Sequence, residues 1–90
     1  MSGRKLFSSD EIIAALQRAG FELAHKSGGH QALKRLRPDG SHDVTVVPLN
    51  KPEVAKGTFE ALLKLANVSY DDFLIWAKVR TKGRRAKREY

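Results

Sequence analysis

The chain has 90 residues, enough for one small domain and too few for a multi-domain enzyme. Its 41% hydrophobic and 30% charged residues describe a globular protein, and the absence of cysteine excludes disulfides, thiolate metal sites and a cysteine nucleophile. A net charge of +7 makes a polyanion the first partner to expect; no apolar run nears the roughly 18 residues of a membrane span, which predicts a soluble cytoplasmic protein with no membrane partner.

The charge is unevenly spread. Residues 80–90 carry six basic side chains against Glu89, which leaves only +2 on residues 1–79. The reading is a nearly balanced domain over 1–79 and a basic, disordered tail over 80–90.

Ser8 with Glu11 three residues later forms a capping box, and Phe7 can staple onto Ile12. Ile12, Ile13, Leu16 and Ala19 then make one apolar helical face, so residues 9–19 are expected as a helix closed by Gly20. Three strands follow, over 21–26, 30–37 and 42–49. Ser27-Gly28-Gly29 and Pro38-Asp39-Gly40 are the turns between them. Two short turns in succession predict an antiparallel three-strand meander.

Residues 50–57 read as a connection, after which Thr58 caps a second helix with Phe59, Leu62, Leu63 and Ala66 on its apolar face. A short third helix opens at Ser69, where Asp72 completes a second capping box and Val68 can staple onto Phe73. The expected fold is α+β, an α-β-β-β-α layer with an additional short C-terminal helix. Helices cover one sheet face, and the other is left open for a site.

Histidine is the scarce functional residue, at positions 25, 30 and 42. His25 and His42 read as ordinary strand residues. His30 directly follows Gly28-Gly29, whose missing side chains let a substrate backbone come close, although it too could be a strand residue without a role. No second catalytic partner, metal-ligand spacing or phosphate-binding glycine loop accompanies it. Asp71 and Asp72 suit the first turn of a helix and need no other explanation. Lys56-Gly57-Thr58 is either a phosphate site at a helix start or a helix start with a solvated lysine. Lys26, Lys34, Arg35 and Arg37 on the hairpin could meet the same phosphate chain or form a solvated face. Phe73 and Trp76 read as core.

The order and spacing of these motifs resemble the HicA family of toxins from bacterial type II toxin–antitoxin systems, which are messenger-RNA interferases. The resemblance covers about residues 2–78 and is carried by Ala19-Gly20-Phe21-Glu22-Leu23, Lys26-Ser27-Gly28-Gly29-His30, Pro38-Asp39-Gly40, Val44-Thr45-Val46-Val47-Pro48 and Lys56-Gly57-Thr58. It implies a double-stranded-RNA-binding-domain-like fold, one essential histidine at His30, no cofactor or metal, and a HicB-like antitoxin over the active face. Two positions depart from the family pattern. Gly29 stands where a serine is usual and Gln31 where a second histidine is common, and the stretch from His30 to Pro38 is slightly long.

The functional expectation is a metal-independent endoribonuclease acting on mRNA. His30 serves as general base or general acid, a role that imidazole side chains suit near neutral pH. Lys26, Gly28, Gly29, Lys34, Lys56 and Thr58 are the expected RNA-binding residues. The alternatives are a non-catalytic RNA-binding module of the same fold and a protein-docking domain.

Overall fold

The computed structural model describes residues 6–81. Ser8 closes the expected capping box: its hydroxyl accepts the Glu11 N–H at 3.1 Å, and Glu11 Oε1 accepts the Ser8 N–H at 2.9 Å. Helix α1 (Ser9–Arg18) follows and buries Ile12, Ala15 and Leu16. It stops where Gly20 takes φ 103° and the Phe21 N–H returns to the Leu16 carbonyl, a left-handed exit that glycine makes without steric cost.

The strands β1 (Glu22–Ser27), β2 (His30–Leu36) and β3 (His42–Pro48) form one antiparallel sheet in the order β1-β2-β3. Alternation sorts β2 and β3 into two faces. Gln31, Leu33, Asp43, Thr45 and Val47 are buried, whereas His30, Lys34, Leu36, His42, Val44 and Val46 are exposed. β1 is exposed along its whole length.

Helix α2 (Lys56–Ala66) lies along β3, and α3 (Tyr70–Thr81) packs on α1. The start of α2 corrects the expectation that Thr58 is its cap. Ala55 is the N-cap, without a side-chain hydrogen bond, and Lys56 is already helical. The cause lies upstream, where Val54 is buried and its N–H donates to the Phe7 carbonyl at 2.8 Å, so the chain direction is set before Thr58 is reached. Asn67, at φ 61°, ends α2. The Asp72 N–H donates to Ser69 Oγ as expected, and α3 spans 12 residues, the longest of the three helices. The expected tail lies outside the described residues except for its first two positions, which continue α3.

Phe7, Phe59 and Phe73 meet with ring centroids 5.0–5.6 Å apart and join the N-terminal segment, α2 and α3 in one aromatic cluster. Thr45, buried on β3, donates to the Leu62 carbonyl of α2 at 2.7 Å.

At the far end of the sheet Asp43 accepts from Arg35 Nη2 at 3.0 Å and from Arg37 Nε at 2.8 Å. Arg35 also reaches the Ala19 carbonyl and lies over the Phe21 ring. Both arginines are therefore committed to the fold rather than presented to a phosphate chain. Burial alone would raise the Asp43 pKa, but the two guanidiniums outweigh it and hold the carboxyl below its ordinary value. A depressed pKa stabilises the fold above the unfolded value near 4 and ceases to do so as pH falls through the folded one. Asp43→Asn is expected to lower the urea midpoint at pH 7, and its deficit against the parent should shrink below about pH 4. Urea melts from pH 7 to pH 3 measure both.

Candidate functional site

Where β1 turns into β2, only Gly28 and Gly29 separate Ser27 from its cross-strand partner His30. Gly28 has φ +56°, a conformation that strains any residue with a Cβ, whereas Gly29 has an ordinary φ and open space where a Cβ would stand. The Gly29 carbonyl accepts the Leu49 N–H at 2.6 Å, which ties the turn to the end of β3.

β1 carries a bulge beside this turn, with Ala24 and His25 together opposite Ala32. The Gln31 side chain bonds across the bulge. Its Nε2 donates to the Ala24 carbonyl at 3.1 Å and the Ala32 carbonyl at 2.9 Å, with a longer reach of 3.5 Å to the His25 carbonyl. Gln31 is buried, so the residue next to His30 is fixed by its own side chain.

The loop after β3 is held as tightly. Ser9 is buried; its hydroxyl donates to the Pro48 carbonyl at 2.5 Å and accepts the Lys51 N–H at 3.0 Å, while the Ser9 N–H donates to the Lys51 carbonyl at 3.0 Å. This loop, the end of β3 and the flank of α2 enclose a groove of about 500 Å³. His30, Val46 and Pro48 line it from the sheet, Lys51 and Glu53 from the loop, and Thr58, Ala61 and Leu65 from the helix.

The structure brings some of the expected site residues together and separates others. His30 and Thr58 share the groove, Gly28 and Gly29 adjoin His30, and Lys56 lies in the first turn of α2 two residues before Thr58. That turn contains no acidic residue, and no side chain caps it. Lys26 pairs with Gln31 and so belongs to the opposite sheet face from His30. Lys34 shares the face of His30 but lies four residues along β2, about 13 Å away at strand rise. There it lines a second hollow with Glu22, Leu36 and His42. His25 sits in the bulge.

Sequence reasoning missed Lys51, Glu53, Ala61 and Leu65. No motif marks them, and only the packing of α2 along β3 brings loop and helix to one cavity. Among the described residues no three His, Cys, Asp or Glu side chains gather as a metal-binding group, and no helix is long and apolar enough to cross a membrane.

Gln31→Leu keeps the side-chain volume and removes the donor to the Ala24 and Ala32 carbonyls. Stability should fall by about 1–2 kcal/mol in urea melts. Amide exchange should quicken in the turn ahead of His30 while the Leu62 and Phe73 amides stay protected.

A family model described as HicA toxin of bacterial toxin–antitoxin matches residues 9–68, from the first residue of α1 to just past α2. No curated protein matches the chain. The family match spans two thirds of the sequence, and the chain belongs to the HicA toxin family.

Proposed function

We propose that this member of the HicA toxin family is an mRNA interferase, an endoribonuclease that works without a metal ion and with His30 as its single catalytic histidine. The observation that carries the reading is the position of His30. It is the one histidine of three on the groove that Lys51 and Thr58 also line, and it follows a glycine turn that leaves room for an approaching backbone.

In the reaction the ribose 2′-oxygen attacks the adjacent phosphorus. The bond to the 5′-oxygen of the next nucleotide breaks, leaving a 2′,3′-cyclic phosphate and a free 5′-hydroxyl. One proton must leave the 2′-hydroxyl and one must reach the departing oxygen. His30 performs one of these transfers, and such a group typically contributes roughly 10²–10⁴-fold. The charge that grows on the phosphate oxygens needs fixed positive partners. Lys51 at the groove, Lys56 and the start of α2, which no side chain caps, are the candidates.

Gly28 and Gly29 bring the RNA backbone close to the turn, and Thr58 offers a hydroxyl inside the groove. Lys34 fits a phosphate several nucleotides from the cut, and Lys26 one that passes round the outer edge of β1. The antitoxin partner is read as a HicB-like protein that covers the open face, where Leu36, Val44 and Val46 are exposed together with His30. Messages place the action in the cytoplasm.

The test is growth of a bacterial host after induction of the parent and of His30→Ala, with total RNA examined for cleavage. Arrest and cut messages with the parent alone are expected. Equal cleavage by a folded His30→Ala protein overturns the assignment, and binding without cleavage by either makes the chain a non-catalytic RNA-binding module. A companion variant examines the departure at position 29. Because a Cβ there meets nothing, Gly29→Ser should fold with an unchanged urea midpoint and cut RNA at least as fast as the parent, whereas Gly28→Ser should lose about 1 kcal/mol to its positive φ.

A further inference from the structure

The groove beside His30 has more apolar wall than proton transfer needs. Val46, Pro48, Ala61 and Leu65 are among its lining, and Val46 and Leu65 are large hydrophobic side chains left exposed although the folded core is close by. The polar groups stand apart from them in kind and origin: His30 from the start of β2, Lys51 and Glu53 from the loop, Thr58 from the helix. A volume of about 500 Å³ lies within the range of small-ligand clefts and is ample for a base with its ribose.

From this pairing of an apolar slot with a cation and an imidazole we infer that the groove is a nucleobase subsite. It takes one unstacked base of a single-stranded RNA, next to the phosphate on which His30 acts. The inference rests on the ribonuclease reading for the identity of the polymer. A nucleotide has a flat apolar face and, one sugar away, a negative charge; the groove answers the first with Val46, Pro48, Ala61 and Leu65 and the second with Lys51. A base in a duplex is stacked on both sides and cannot enter, so the strand must be open where it is read. Glu53, the one acid among the described lining residues, accepts hydrogen bonds without donating any when ionised, which favours a base carrying an exocyclic amine over uracil.

The choice between RNA and a protein side chain as occupant turns on the charged and polar residues of the lining. An apolar side chain of a partner requires neither Lys51 nor His30 beside its slot. A nucleotide requires a cation there, and the geometry provides it within one cavity.

The measurement is affinity for a short unstructured 2′-O-methyl RNA. This RNA lacks the attacking hydroxyl, so its survival does not depend on what His30 does. The unmodified chain is titrated with the intact oligonucleotide, with a series carrying one abasic sugar at each position, and with the same strand in a duplex. One abasic position should weaken binding by about tenfold, and the duplex should lose that position-specific gain. Ala61→Phe fills the slot from an exposed helix position. It should weaken the intact RNA by a similar factor and no longer respond to the abasic site. Leu65→Ser, which removes a wall instead, should do the same, and circular dichroism checks that both variants fold. Parent-like affinities and an unchanged abasic response in both folded variants overturn the inference, as does the absence of single-strand binding by the parent. Equal affinity for every abasic strand also overturns it and gives the slot to a protein partner. Failure of His30→Ala to stop cleavage would refute the catalytic assignment and leave these affinities unaffected.

Discussion

The hydroxyl of Ser9 ties together the parts that make the site. It donates to the carbonyl at the end of β3 and accepts the N–H of Lys51, while the Ser9 backbone N–H donates to the Lys51 carbonyl. One buried side chain at the start of α1 thus satisfies polar groups from two later segments, and leaving such groups unpaired costs about 1–3 kcal/mol each. The consequence is directional. Once β3 ends at a fixed point and Lys51 is held, the chain runs on to Val54, whose N–H meets Phe7 beside the same helix start. The register of α2 follows, and with it the positions of Thr58, Ala61 and Leu65 along the groove.

Other polar residues are committed in the same way, and these commitments decide which cations remain for a ligand. Asp43 consumes Arg35 and Arg37, so the strongest phosphate-binding side chains of the hairpin serve to brace the sheet end against Phe21 and the end of α1. Gln31 fills the bulge of β1 and fixes the strand that begins with His30. The lysines are different. Lys34, Lys51 and Lys56 stand exposed. A lysine makes weaker demands on geometry than an arginine, which suits contacts to a backbone whose sequence is not being read.

The outline of the fold was legible because its signals are local. The Ser8–Glu11 box, the glycine exits and the alternation of β2 and β3 each act within a few residues, and each appears where the sequence puts it. The second helix was misplaced for the converse reason. Thr58 looks like a cap in sequence, but the helix start is set by Val54 bonding to Phe7, a partner far away in the chain. The same distance hid the role of Ser9, whose acceptor is 39 residues on, and of Arg35, which reads as one more surface charge until Asp43 is seen opposite it. For the candidate site, His30 stands out because two glycines precede it. Lys51 and Leu65 carry no such mark, since only the crossing of α2 past β3 brings them near it.

The open sheet face has a physical cost that bears on how such a protein is kept in check. Leu36, Val44, Val46 and Leu65 are exposed in a small domain with a modest core, and among the described residues β1 is an edge strand of the sheet. The bulge at Ala24–His25 twists that edge and blunts it against further pairing. Among the described residues no comparable device protects the apolar face around His30. On the reading proposed here that face cannot be made polar without losing the slot for a base, so the exposure is a requirement of the activity. A protein that buries it removes an association-prone surface and closes the groove in one step. Inhibition and protection of the toxin would then come from the same buried area, and a stronger inhibitor would also be the better solubilising partner.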